Sequence, residues 1–254
     1  MFSFLATGGT TTTAMHALAR NQTVNDSPIR AAGVMVAAGA AIMVVAIVVG
    51  LAVVGRHGGG LIQGWDDTVQ RWWIHHRSGL VGVSLVIAVL GDAVGLGIIT
   101  VILTGLLLLA RQRVRALIPL AAYLGGECIV FVTRQVVTRP RPPTANYPAP
   151  GAIPGVHETS FSYPSGHATA AVAVIVSLAG LAWLTWRVWW PWVVAVLVGM
   201  AVGTSRLVLG VHWFSDIAFG MCFGIPWAVV VTLALRDTTL PFWPFRAGDP
   251  VIRG

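Results

Sequence analysis

The chain has 254 residues, of which 56% are hydrophobic and 10% charged, and its mean hydropathy is +0.79. Soluble domains carry about 25% charged residues, so these values exclude a soluble protein and describe a polytopic membrane domain. The net charge of +7 is carried by arginine alone, since no lysine occurs, and the arginines gather at the ends of apolar runs. That pattern suits lipid headgroups, and with no soluble basic domain to grip a strand it excludes nucleic acid as a partner.

Residues 1–30 are polar or small and read as a flexible N-terminal arm, without the charged start and short apolar core of a secretory signal. Residues 31–54 are uninterruptedly apolar and long enough to cross a hydrocarbon core about 30 Å thick. Residues 56–77 form the first connection, and Arg71-Trp72-Trp73-Ile74-His75-His76-Arg77 predicts a short amphipathic helix in the membrane interface. Asp66, Asp67, His75 and His76 lack the spacing of a metal site and are expected to be solvated there.

Residues 80–110 are too long for one straight span. The sequence predicts a helical approach over 80–90, a break at Gly91-Asp92, and a second span over 93–110 with Asp92 as its cap. Arg111, Arg113 and Arg115 make a basic turn, and the third span covers 116–133. Glu127 lies inside it, either paired within the bundle or near an interface. The 134–163 connection is rich in proline, which stiffens it and holds Arg134, Arg139 and Arg141 close together as an anion clamp or as headgroup anchors. His157 and Glu158 read as ordinary loop residues. The fourth span covers 168–186, the fifth 192–209 and the sixth 214–235, followed by an interfacial tail, 236–254. Cys128 and Cys222 fall within apolar runs and are expected to pack as small buried hydrophobes.

Two polar stretches interrupt this apolar chain. Pro164-Ser165-Gly166-His167 stands at the start of the fourth span, where Ser165 caps, Gly166 admits close approach, and free amides favour an anion beside the His167 imidazole. Ser205-Arg206 ends the fifth span, and His212 and Asp216 open the sixth. With a helix starting near Val211, those two stand four residues apart on one face. A carboxylate beside an imidazole fixes its tautomer and prepares a nucleophile, and a guanidinium fork suits phosphate. Phosphoryl chemistry follows from these residue types. Alternating crossings bring the Arg134–Arg141 region, Ser165–His167, Arg206 and His212–Asp216 to one membrane face. The larger share of the arginines falls on the other face, which the positive-inside rule makes cytoplasmic, together with both termini. The site is therefore expected on the outer face of the plasma membrane.

These segments resemble the type 2 phosphatidic acid phosphatase family. Its pattern is a basic residue, six others and Arg-Pro, then Pro-Ser-Gly-His, then Ser-Arg, five others, His, three others and Asp. Here it reads Arg134 with Arg141-Pro142, Pro164-Ser165-Gly166-His167, and Ser205-Arg206 with His212 and Asp216; Arg134 stands where the family usually has lysine. The resemblance covers about residues 80–235. It implies an all-α, six-helix membrane bundle over residues 31–235. It also implies His212 as nucleophile, Asp216 as its orienting partner and His167 as acid and base. Arg134, Arg141, Ser165, Gly166 and Arg206 are the implied phosphate ligands, with no metal and no cofactor.

The expected function is a membrane lipid phosphatase working through a phosphohistidine. Phosphatidic acid, phosphatidylglycerol phosphate and polyprenyl diphosphates are the candidate substrates. The last is favoured, because spent carrier appears at the outer face. A lipid phosphotransferase and a non-catalytic lipid-binding or flipping protein are the alternatives. The oligomeric state is left open.

Overall fold

The computed structural model describes residues 9–57, 59–148 and 160–236, with side chains from Ile29 onward. His157 and Glu158 lie outside the described residues, as do residues 1–8 and nearly all of the expected tail. Eight helices carry the fold among the described residues: α1 Gly9–Val49, α2 Gln63–His76, α3 Val81–Gly91, α4 Ala93–Leu109, α5 Leu117–Val137, α6 Gly166–Trp186, α7 Trp190–Val208 and α8 Phe214–Ala234. The backbone is helical from Gly9; no glycine interrupts the chain between Gly9 and Gly33.

Among the described residues five helices are long and apolar enough to cross a membrane, and the α3–α4 pair, bent by 58°, brings the number to six when taken as one broken span. The bend sits where the sequence placed it. Asp92 adopts an extended conformation and its carboxylate accepts the Gly95 amide at 2.6 Å, so it starts α4 as a cap.

Helix α6 is the central element. Its small residues, Ala168 to Ala173, are buried, and it packs against α5, α7 and α8. In lipid the hydrophobic effect does not drive helices together, so close backbone approach by small residues must do it. Gly220 and Gly224 give α8 that approach: a Cβ on Gly224 would lie 2.5 Å from the Thr169 carbonyl oxygen. Lower in the bundle Trp227 covers Gly125, and its indole N–H reaches the carbonyls of Ala121 and Ala122 at 3.2 and 3.1 Å.

Three expectations are corrected. Cys128 and Cys222 are exposed on the outer faces of α5 and α8, because the helical period turns them away from α6. Helix α2 is longer than the segment expected at 71–77 and packs on the bundle. It begins at Gln63 and docks on α7 and α8, with Arg77 bonding the carbonyls of Asn146 and Val208. Burial there lowers the Arg77 pKa. Asp66, on the docked face, is fully buried instead of solvated.

Candidate active site

Four helix ends meet at one end of the bundle. Helix α5 continues through Arg134 to Val137, and Thr138, at φ 50°, turns the chain in the left-handed region toward Arg139 and Arg141. Ser165 caps α6, its hydroxyl accepting the Ala168 amide at 3.5 Å and its own amide donating to the Asp216 carbonyl at 3.0 Å. Helix α7 brings Arg206 in on its last turn. Gly210 then reverses the chain at φ 72°; a Cβ there would meet the Asn146 carbonyl oxygen at 2.7 Å, so this turn requires glycine.

Helix α8 starts at Phe214, with Trp213 as its cap, and not near Val211. His212 therefore precedes the helix and does not share a helical face with Asp216. The two still meet: Asp216 Oδ2 accepts the Trp213 amide at 3.0 Å and lies 3.4 Å from His212 Nδ1. Both side chains are fully buried. A carboxylate beside Nδ1 calls for a proton there, which leaves the lone pair on Nε2. The opposite contact agrees, since Arg141 Nη1 donates to Nε2 at 3.0 Å.

Arg134 and Arg141, expected as a clamp, converge on one hydroxyl. Arg134 Nη1 and Arg141 Nη2 each donate to Ser160 Oγ at 3.1 Å. Backbone carbonyls steady both: Arg134 Nε bonds Pro164, and Arg141 bonds Ser160 and Val211. Gly166 joins them, because a Cβ on it would stand 3.6 Å from Arg134 Nη2. Arg206 is fully buried on the last turn of α7, its carbonyl accepting the Val211 amide at 3.2 Å. His167 faces the bent span: its Nε2 donates to the Ala88 carbonyl on α3 at 3.2 Å, and Gly91 lies beside its ring. Glu127 is half-buried two turns before Arg134, lining a cavity of about 260 Å³ with Arg134 and Ser160.

Arg139 does not join the clamp. It points away, fully buried, and its guanidinium bonds Asp66 at 2.6 Å, Asp216 at 2.7 Å, Ser215 Oγ at 2.8 Å and Gln63 at 2.9 Å. Trp213 lies over it with its ring centroid at 5.3 Å, and the indole N–H bonds the Pro140 carbonyl at 3.0 Å. Sequence reasoning missed Ser160 and Asp66. Ser160 had a faint signal, standing four residues before the proline that opens the second motif; Asp66, read as a solvated residue of the first connection, had none.

Tyr163 ties the first span to this centre. Its hydroxyl donates to the Ala46 carbonyl at 3.1 Å, and its ring packs on Gly50, where α1 gives way to a π-turn at Gly50–Val54. Burial, followed by the negative charge of Asp216, raises its pKa far above that of a free phenol.

Below His167 an apolar cavity of about 310 Å³ opens between α3–α4 and α6–α7. It shares Leu103, Ile175 and Leu178 with a second cavity of about 770 Å³ that continues to Arg111 and Trp186 at the far end of the bundle.

Residues 115–239 match the family model described as the PAP2 superfamily. Phosphatidylglycerophosphatase B of Bacillus subtilis (strain 168) is 32% identical over 81 residues, which are 30% of this chain and 40% of that relative, so the match spans less than half of the relative's length. Among solved structures, the first transmembrane PAP2 type phosphatidylglycerolphosphate phosphatase from Bacillus subtilis superposes with a TM-score of 0.59 at 24% identity, over 81% of this chain and 94% of that one. That is a likeness of fold.

Proposed function

The chain belongs to the PAP2 superfamily, and on that premise we propose that it is a membrane phosphatase that hydrolyses a lipid phosphate through a phosphohistidine on His212. The observation that carries this reading is the orientation of His212, with Nδ1 toward Asp216 and the Nε2 lone pair toward the arginine that would receive the phosphate.

The phosphoryl group would take over the Arg134, Arg141 and Ser160 contacts and release Nε2 from Arg141. Nε2 then attacks phosphorus. An N–P bond forms, the P–O bond to the lipid breaks, and His167 gives its proton to the departing oxygen. With Nε2–H held by the Ala88 carbonyl, the proton comes from Nδ1 of the charged ring. Water attacks next: His167 takes its proton, the N–P bond breaks, and inorganic phosphate leaves. Arg134, Arg141, Arg206, Ser165 and the Gly166 amide hold the phosphoryl oxygens as charge develops.

The cavities support a lipid leaving group. The acid must stand beside the leaving oxygen, and the apolar groove begins beside His167. Of the candidate lipids we favour phosphatidylglycerol phosphate over a polyprenyl diphosphate, because the 32% identical relative is named for it. The site is assigned to the outer face and both termini to the cytoplasm, by the arginine distribution.

The test is phosphate release in detergent from phosphatidylglycerol phosphate, phosphatidic acid and a polyprenyl diphosphate, with EDTA throughout, comparing the native protein with His212→Ala. Release from the native protein, lost by several orders of magnitude in the variant, is expected. Equal release from both removes His212 as nucleophile.

A further inference from the structure

The Asp66 carboxylate lies outside the segment that matches the family, on the first extramembrane helix, yet it is built into the catalytic centre. Asp66, Arg139, Asp216 and His212 are all fully buried and form one chain of contacts. Arg139 spends one nitrogen on each carboxylate: Nη2 on Asp66 Oδ2 at 2.6 Å and Nη1 on Asp216 Oδ1 at 2.7 Å. The other oxygen of Asp216 is left for the Trp213 amide and His212 Nδ1. Asp66 also holds the backbone beside Asp216, since its Oδ1 accepts the Ser215 amide at 2.8 Å and its Oδ2 accepts the Ser215 hydroxyl at 2.5 Å.

We propose that Asp66 is a positioning residue for the nucleophile, acting through Arg139 to fix where the Asp216 carboxylate stands and how strongly it stabilises positive charge on His212. The proposal rests on the phosphohistidine reading. Charge counting gives it a direction. Two carboxylates and one guanidinium leave one net negative charge, which balances an imidazole that becomes cationic when protonated or joined to phosphorus. Without the Asp66 charge, Arg139 neutralises Asp216 alone and nothing remains to offset the cation. The other charged groups on the elements packed around the centre are unchanged by that loss: Arg141 from the loop after α5 touches His212, Arg206 is buried on the last turn of α7, and His167 stands on the first turn of α6.

The experiment compares Asp66→Asn with the native protein in detergent, reading kcat, KM, the pH dependence of kcat/KM, and the titration of His212 by NMR of histidine-labelled protein, assigned with His212→Gln. The expected result is a fall in kcat of roughly 10- to 100-fold with KM little changed, the size seen when an outer-shell partner is lost. The acid limb and the His212 titration both move to lower pH, because the cationic ring has lost support. Native kcat with an unmoved limb overturns the proposal, and so does a lowered kcat with an unmoved His212 titration, which is what a purely structural role gives. If Asp66→Asn does not fold, Ser215→Ala loosens Asp66 and Arg139 without changing charge; a lowered kcat with the limb in place is expected, and full native kcat overturns the proposal. Should the native protein release phosphate from no lipid, the phosphatase reading fails, while the NMR titration still decides whether Asp66 controls His212.

Discussion

Arg141 donates from Nη1 to Nε2 of His212 at 3.0 Å, so the nitrogen assigned to attack phosphorus is held by the group assigned to bind the phosphate. On the proposed mechanism, a phosphate bound by Arg141 competes with His212 Nε2 for the same N–H and frees that nitrogen. Arg141 can do this because its fork reaches three ways at once, to His212, to the Val211 carbonyl and to Ser160. Lysine offers a single point of charge. Arg141→Lys is therefore expected to lower kcat/KM by roughly 100-fold, the scale of losing one preorganised donor, in a steady-state phosphate-release assay.

Arg134 behaves differently. It stands where the resembling family usually carries lysine, and its two bonds go to the Pro164 carbonyl and Ser160 Oγ. An ammonium can satisfy one of these and still present its charge. Arg134→Lys is expected to keep kcat/KM within about tenfold of native, whereas Arg134→Ala loses roughly 100-fold or more. Equal losses in the two variants would assign the role to the guanidinium fork and not to the charge.

The apolar spans, the break at Gly91-Asp92 and the gathering of Arg134, Arg141, Ser165 and His212 at one end of the bundle were legible because each leaves a local mark: an apolar run of bilayer length, a cap residue after glycine, a fixed spacing. The fate of Arg139 was not legible. It sits two residues before Arg141 in the same proline-rich stretch, and only the left-handed turn at Thr138 and the docking of α2 send the two guanidiniums in opposite directions. Asp66 was misread for the same reason. Its partner is 73 residues away, and an acidic residue on an amphipathic helix is ordinarily a solvated one. The start of α8 shifted because Asp216 serves the helix as a cap acceptor before it serves His212, which sets the first turn at Phe214.

Tyr163 offers a test by pH. Its phenol is buried next to Asp216, so ionisation would place a second negative charge in the same enclosed space, and the raised pKa keeps the hydroxyl protonated throughout the working range. Its deprotonation cannot shape the alkaline limb. Tyr163→Phe is expected to leave both limbs of the kcat/KM profile where they were and to lower stability by about 1 kcal/mol through the lost bond to the Ala46 carbonyl. Thermal unfolding in detergent and a pH–rate profile check the two halves.

Helix packing offers a paired test. A methyl group on Gly224 would press on the Thr169 backbone at 2.5 Å, and backbone cannot swing aside as a side chain can. Gly224→Ala is expected to cost about 1–3 kcal/mol by overpacking the contact between α6 and α8. Gly82, on α3, has open space around the same position. Gly82→Ala is expected to be neutral or to stabilise by about 0.5–1 kcal/mol. Parallel melting curves of the two variants decide the matter.

The bend between α3 and α4 has a consequence for how a chain of this fold can diversify. Its upper arm supplies the Ala88 carbonyl that holds the His167 ring, and its lower arm walls the apolar groove from Leu96 to Leu103. On the proposed mechanism, proton delivery and tail accommodation thus hang on one kinked helix pair, pivoting at Asp92. A drift in sequence that reshapes the groove for a longer or branched chain also tilts the perch of the acid. Lineages that change lipid preference along this span are therefore expected to carry compensating changes on α6, close to His167, so that the two properties evolve as a linked trait.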